Sequence, residues 1–366
     1  MADGLYIGIM SGTSLDAIDT TLVSFKNDQF QIIKTHSHSW PEELKERLKQ
    51  LIEKEDSLDE MLQLDQLCAE QYAQATLNCL ELAGVAARDI AAIGCHGQTI
   101  RHAPNQKPAY TLQIGNPATI AEKTGITTIS DFRSRDIAAG GQGAPLAPAF
   151  HKAIFSHPHN KRIILNIGGI ANITVLDGDR VIGLDTGPGN RLLDDWINHS
   201  LQKPHDQNGE FAASGEVIEP LLKQLLEDPY FKLPFPKSTG SDYFNLEWVL
   251  ARITDYKNET AANIQATLTA LTAETAKNEI NNILPEADDI LICGGGAHNH
   301  HLVSIIEKHF QDKNVSTTDN FGCPPDWVEA VAFAWLANRT LSGKPGNLPD
   351  VTGAKGERIC GGVYFA

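Results

Sequence analysis

Long apolar runs are missing from this 366-residue sequence, and none approaches the roughly 18 residues that a bilayer-spanning helix needs. The opening MADGLYIGIM also lacks the basic and long apolar regions of a signal peptide. Basic excess is absent too. Lys and Arg number 30 against 46 Asp and Glu, a net charge of −16. That balance argues against non-specific binding to nucleic acid or acidic membranes, although a local nest of backbone N–H groups can still bind an anion. None of the six cysteines (Cys68, Cys79, Cys95, Cys293, Cys323, Cys360) forms a CxxC pair, so buried reduced thiols are expected, in a cytoplasmic protein. There is no GxxxxGKS or GxxxxGKT, no GxGxxG opening a helix after a strand, no GxSxG elbow and no HExxH. The histidines of AHNHH (His298, His300, His301) have no Cys or acidic partner at ligand spacing, which favours a polar helix start over a metal site. With 42% hydrophobic and 21% charged residues, the composition is that of an ordinary globular protein, long enough for two domains.

What the sequence does have is small-residue turns between strand-like runs. In YIGIMSGTSLDAIDTTLV, apolar residues lead to Ser11, Gly12, Thr13 and Ser14, then resume beyond Asp16 and Asp19. This predicts a β-hairpin with strands Leu5 to Met10 and Thr20 to Phe25. A pattern of the same kind begins about 155 residues later. Ile163 to Ile167 meets Gly168 and Gly169 and returns through Ile173 to Leu176; a further strand, Val181 to Leu184, ends at Asp185. Two such units predict two related domains facing one another.

Helices are expected at 39–55, with Ser39 and Glu42 as a capping box, and from Ser57 to about Leu82. A third is expected at about 260–283, and the apolar DWVEAVAFAWLANRTL predicts a buried fourth. DILICGGGAHNHHLVSII reads as a strand, three glycines and a helix, a pattern of α/β architecture in which ligands sit at strand ends.

Small residues let backbone N–H groups approach phosphate oxygens, Ser and Thr hydroxyls add donors, and a nearby carboxylate can hold Mg²⁺ through water. MSGTSLDAID supplies all of these, so the glycine turns together point to nucleotide phosphate binding. Asp185 precedes Thr186-Gly187-Pro188-Gly189-Asn190 and then a helix with Leu192, Leu193, Trp196 and Ile197 on one face. It is either a general base or an acid closing a turn. GCHGQTIRH (His96, Gln98, Thr99, Arg101, His102) and DFRSRDIAAGGQGAPL (Arg133, Arg135, Asp136) would suit a polyhydroxylated substrate with or without a carboxylate, or would be solvated loops. Glu329, an acid in an apolar helix, needs a partner: either a site or a buried salt bridge.

Taken in order, GIMSGTSLDAID, GCHGQTIRH, LQIGNP, DFRSRDIAAGGQGAPL, LNIGGIANIT, DTGPGN, CGGGAHN and NLPDVTGA resemble the anhydro-N-acetylmuramic acid kinases of bacteria over essentially the whole chain. The resemblance implies the fold of the sugar kinase, heat-shock chaperone and actin superfamily: α/β, two facing actin-like (ribonuclease H-like) domains with an ATP cleft between them. The expected boundaries are 1–130, joined by 341–366, and 131–340. It implies ATP-dependent phosphorylation of a small anhydro amino sugar with hydrolytic opening of the anhydro ring, by a homodimer using ATP and Mg²⁺. Gly12, Thr13, Ser14, Leu15, Asp16, Ala17, Ile18 and Asp19 would hold ATP phosphates, with Asp16 reaching the metal through water. Gly168, Gly169, Asn172, Gly187, Gly294, Gly295, Gly296 and Asn299 would line the nucleotide. Asp185 would activate water, and His96, Gln98, Arg133 and Glu329 would face the sugar. The family's first motif usually reads GTSLDG; Ala17 stands where its last glycine would be. If that position needs positive φ, a small cost follows. The alternatives are a superfamily kinase for another sugar and an actin- or chaperone-like ATPase switch.

Overall fold

The apolar run LYIGIM forms β1 (Gly4–Met10), which pairs antiparallel with β2 (Ile18–Lys26), from Gly4 opposite Phe25 to Met10 opposite Asp19. The expected hairpin is present, in a computed structural model that describes residues 1–53, 57–235 and 237–366. A third strand, β3 (Gln29–His38), not anticipated from the sequence, extends the meander. Its QFQIIKTHSH is half-exposed along its length because it is the sheet's edge.

The helix expected at 39–55 runs Glu42–Glu53, and Lys54 and Glu55 lie outside the described residues. The next, Leu58–Ala83, begins where Ser57 accepts a bond from Glu60 N (3.1 Å) and ends at Gly84, whose φ of 66° suits glycine. Then come β4 (Ile90–Cys95), the separate hairpin β5 (Gln98–Ala103) with β6 (Tyr110–Ile114), and β7 (Thr128–Ser130). β4 is parallel to β1, and β7 is parallel to β4.

The second sheet repeats this plan. β8 (Arg162–Ile167), β9 (Ile170–Asp177) and β10 (Arg180–Pro188) form an antiparallel meander. β11 (Asp289–Cys293) is parallel to β8, and β12 (Asn314–Thr317) is parallel to β11. β13 (Gly362–Tyr364) returns to the first sheet beside β7. The strand orders are β13-β7-β4-β1-β2-β3 and β10-β9-β8-β11-β12. Apart from β13, the two match strand for strand in order and direction, as the repeated glycine hairpins predict. Both sheets belong to an α/β fold.

The chain divides into Met1–Phe150 with Trp327–Ala366, and His151–Asp326. Residues 131–150 and 327–340, expected in the second domain, therefore belong with the first sheet. The reason for the second of these is steric. Gly8 and Gly94 stand opposite one another on β1 and β4, and the backbone of helix Val328–Leu341 lies directly on them. A Cβ at Gly8 would overlap Ala330 O, and one at Gly94 would overlap Phe333 O.

The second unit's sheet core includes Ile163, Leu165, Ile290, Ile292, Leu302 and Ile306. Helix Ala261–Ile283 is buried on several faces. Ala273, Ala276 and Ile280 join that sheet core, while Ile264, Leu268 and Leu271 join a second cluster with Trp196, Phe244 and Trp248. All six cysteines are buried and in no disulfide, and among the described residues no helix is long and apolar enough to cross a membrane.

Asp136 ties two distant motifs together. Fully buried, it accepts bonds from Gly143 N (2.7 Å), Asn347 Nδ2 (2.6 Å) and Thr352 Oγ1 (2.7 Å). Removing the carboxylate strands three buried donors, each worth about 1–3 kcal/mol. Asp136→Ala is therefore expected to cost at least about 3 kcal/mol in urea unfolding. A loss below about 1 kcal/mol would show that these bonds are energetically idle.

Candidate functional site

In the first unit, the β1–β2 turn is tied at its base and open at its crest. Ser11 is buried and shares a 2.7 Å hydrogen bond with Tyr72 OH. Gly12 O accepts from Leu15 N (3.2 Å) and Gln98 Nε2 (3.3 Å). Thr13, Ser14 and Asp16 are exposed, whereas the Leu15 and Ile18 side chains are buried in the core and can offer a ligand only their backbone. The left-handed residue is Leu15 (φ 57°), not Ala17, so alanine at position 17 carries no such strain. Asp19, on β2, accepts from Ser37 Oγ at 3.0 Å.

Beyond β4, His96 N donates to Ile9 O (3.1 Å), which sets its ring beside this turn. His96 Nε2 accepts from Arg133 Nε (3.2 Å) and Nη2 (2.8 Å), placing the ring proton on Nδ1. Burial, and then the charge of Arg133, hold the His96 pKa well below its ordinary value, so the ring is neutral. Arg133 Nη1 donates to Gly143 O (2.9 Å). Burial lowers the guanidinium to about 10, with Glu329 opposing, and it stays cationic at neutral pH.

Glu329 stands in the first turn of helix Val328–Leu341. Surrounding protein raises its pKa; Arg133 pulls against this, and Asp19 adds to it. Its side chain is nevertheless open to solvent. Gln98 is fully buried, and its Oε1 has no hydrogen-bond partner among the described residues, leaving an acceptor beside the turn. Arg101 and His102 serve elsewhere. Arg101 Nη1 caps the carbonyls of Leu51 and Ile52, and His102 bonds Thr111.

In the second unit, Asp185 is not at a strand end. β10 continues to Pro188, and the ladder with β9 slips between Asp185, opposite Asn172, and Gly187, opposite Ala171. Thr186 Oγ1 bonds Ala171 O (3.1 Å) inside this irregularity. At Gly187 (φ 150°) a Cβ would stand 2.8 Å from the Phe231 ring. Asp185 N donates to Lys237 O (3.3 Å), Tyr230 OH donates to Asp185 O (2.8 Å), and Thr239 N donates to Asp185 Oδ2 (3.0 Å). Burial raises the Asp185 pKa to about 6, and the Thr239 bond opposes it. Such a carboxylate is ionised at neutral pH yet basic enough to accept a proton.

The glycine turns beside it make close backbone contacts. Gly168 O accepts from Asn190 N (2.8 Å), while Gly169 O accepts from Gly189 N (3.0 Å) and Arg191 N (3.1 Å). Gly294 (φ 77°) donates to Pro325 O (3.0 Å), and a Cβ at Gly294 or Gly296 would overlap Asn166 or Ile167. Gly295 is exposed. Asn190 Nδ2 donates to Ile167 O (3.2 Å), joining 166–169 to 187–190. The side chain of Asn299 accepts from Leu302 N and caps helix His300–His309, so the histidine-rich segment is a helix start. Among the described residues no three His, Cys, Asp or Glu side chains form a metal cluster. Asp16, a lone exposed carboxylate beside two hydroxyls, fits Mg²⁺ held through water and phosphate.

The structure thus links Gly12, Gln98, His96, Arg133, Glu329 and Asp19 within the first unit. It gathers Gly168, Gly169, Asn172, Asp185, Gly187, Gly294 and Gly296 in the second. Sequence patterns missed Tyr230, Lys237 and Thr239, because residues that reach Asp185 through single hydrogen bonds from a remote segment have no periodic signature.

The family model for Anhydro-N-acetylmuramic acid kinase matches residues 4–366. A curated anhydro-N-acetylmuramic acid kinase of Coxiella burnetii is 51% identical over 364 residues, 98% of this chain and 97% of that protein. One from Shewanella halifaxensis is 47% identical over 369 residues, the full length of both. Among solved structures, the activator of the 2-hydroxyisocaproyl-CoA dehydratase from Clostridium difficile, with bound ADPNP, aligns with a TM-score of 0.48 at 14% identity. That alignment covers 93% of this chain and 96% of that one. On its full-length match and its identity to these relatives, the chain belongs to the anhydro-N-acetylmuramic acid kinase family.

Proposed function

We propose that this chain is an ATP-dependent kinase that opens the ring of 1,6-anhydro-N-acetylmuramic acid with water and phosphorylates O6. The products are N-acetylmuramic acid 6-phosphate and ADP, in peptidoglycan recycling. The observation that carries this reading is the family match along the whole chain, which favours it over a switch ATPase or a kinase for another sugar. Asp185 takes a proton from water as the water oxygen bonds C1. The C1–O6 bond breaks, and O6 takes the γ-phosphoryl group of ATP. The exposed crest at Thr13, Ser14 and Asp16 supports a phosphate-binding role, and Gly168, Gly169, Asn172, Gly187, Gly294, Gly295, Gly296 and Asn299 are assigned to the nucleotide. Mg²⁺, held near Asp16 through water, supplies charge neutralisation. Gln98 Oε1, Arg133 and Glu329 are assigned to the sugar, with His96 orienting Arg133. The reading includes a cytoplasmic homodimer.

The test is ATP consumption by the purified protein with and without the anhydro sugar, with the product weighed by mass spectrometry. Addition of both phosphate and one water supports the coupled reaction. Phosphate without water removes water activation from the role of Asp185, and no sugar-dependent consumption rejects the substrate. The pH profile is a separate prediction. Protonation disables the base, so kcat/KM falls below about pH 6 and is flat just above it. A profile flat down to pH 4.5 would detach catalysis from this carboxyl.

A further inference from the structure

Asp185 is held by a segment remote in sequence, and that segment is itself anchored. Its carboxylate accepts from Thr239 N, its N–H donates to Lys237 O, and its carbonyl accepts from Tyr230 OH. Between the two backbone contacts, the Lys237 side chain, 2% exposed, runs inward to Glu279 Oε1 at 2.6 Å. Glu279 belongs to helix Ala261–Ile283, which packs into the second sheet's core. Lys237 Nζ also lies 4.9 Å from the centre of the Tyr230 ring. A buried lysine needs a strong partner, and this one's partner is fixed on the core helix.

We propose that Lys237 and Glu279 are positioning residues, a buried ion pair that pins the 237–239 segment so that the Thr239 N–H stays on Asp185 Oδ2. The proposal rests on the reading of Asp185 as the base and adds to it what sets that base's direction and strength. The Thr239 bond favours the ionised carboxylate and leaves Oδ1 as the oxygen available to water. The groups in contact with Asp185 are Tyr230 from the turn Pro229–Lys232 and Lys237 and Thr239 from the loop, with Glu279 of the core helix behind them on Lys237. Tyr230 remains a donor, because burial and then the charges of Asp185 and Glu279 push its hydroxyl pKa up. Loosening the segment should therefore weaken the base's orientation and raise its pKa at the same time.

The test uses the full chain and reads the Asp185 carboxyl directly. Carbon-13 titration of Asp side chains, with Asp185→Asn supplying the assignment, gives its pKa in each variant. Thr239→Pro removes the N–H, and Thr239→Ala keeps it. The proposal expects Thr239→Pro to raise the pKa by about one unit. Lys237→Met should move it in the same direction, Thr239→Ala should leave it in place, and Lys237→Arg should restore most of the wild-type value. Glu279→Gln, which preserves shape, is the milder second variant should Lys237→Met fold poorly. An unmoved carboxyl in Thr239→Pro and in the ion-pair variants overturns the proposal, as does an equal shift in Thr239→Ala. The acid limb of kcat/KM then separates the two readings. If the carboxyl moves and the limb does not follow, the positioning stands and the assignment of Asp185 as base fails.

Discussion

Asp185→Asn is expected to lower kcat by about 10²–10⁴-fold, the usual worth of a general base, with little change in ATP or sugar affinity. The same substitution should make the protein more stable at neutral pH. In the folded chain the carboxyl titrates near 6 because burial disfavours its charge, against an ordinary value of 3.8. Between those values the native state binds more protons than the unfolded state, so this group's contribution to stability falls as pH rises, and the full penalty is in place above about pH 6. At about 1.4 kcal/mol per unit, the penalty is at most about 3 kcal/mol, and a neutral amide escapes it. Urea unfolding at pH 8 should show Asp185→Asn as the more stable protein, with the advantage gone by about pH 4. Equal stability at pH 8 would mean that the carboxyl is not strained by burial. Near-wild-type turnover would remove it from catalysis. A loss of function joined to a gain of stability is hard to explain as misfolding, which is why the two measurements belong together.

The second large effect is structural. Gly8→Ala places a methyl group where Ala330 O now lies, and Gly94→Ala does the same at Phe333 O. Neither obstacle is a flexible side-chain tip; both are backbone of the buried helix Val328–Leu341. The helix must lift from the sheet, at a cost of about 3 kcal/mol or more for each substitution. Because Glu329 sits in that helix's first turn, activity per folded molecule should fall as well. Gly12→Ala is the contrast. Its Cβ would meet only Ser14 Oγ at 3.6 Å, and its φ is not left-handed, so the expected stability change is within about 1 kcal/mol. Thermal melts of the three variants decide the matter, and equal melting temperatures for Gly8→Ala and Gly12→Ala would refute this account of helix seating.

Local rules accounted for much of the fold. The β1–β2 hairpin, the Ser57 cap and the strand–glycine–helix at Asp289–His309 all follow from spacing within a few residues. So does the repetition of one strand order in two sheets, because each copy carries its own apolar runs and its own glycine turn. β3 was not legible, since an edge strand buries too little to show a clean alternation. The continuation of β10 past Asp185 was hidden as well, because Thr-Gly-Pro resembles a turn until a partner strand supplies the ladder.

The amino-acid sequence by itself determined the family, the α/β class, the small-residue turns and the choice of Asp185 as the acid to examine, all of them properties of neighbouring residues. Only the tertiary structure decided that positive φ falls on Leu15 and not Ala17, and that His96 is a neutral acceptor for Arg133. It alone seated Val328–Leu341 on two glycines of the first sheet and raised the Asp185 carboxyl by burial, against the Thr239 bond. These depend on burial and on single hydrogen bonds between segments tens to hundreds of residues apart, and neither leaves a mark on local spacing.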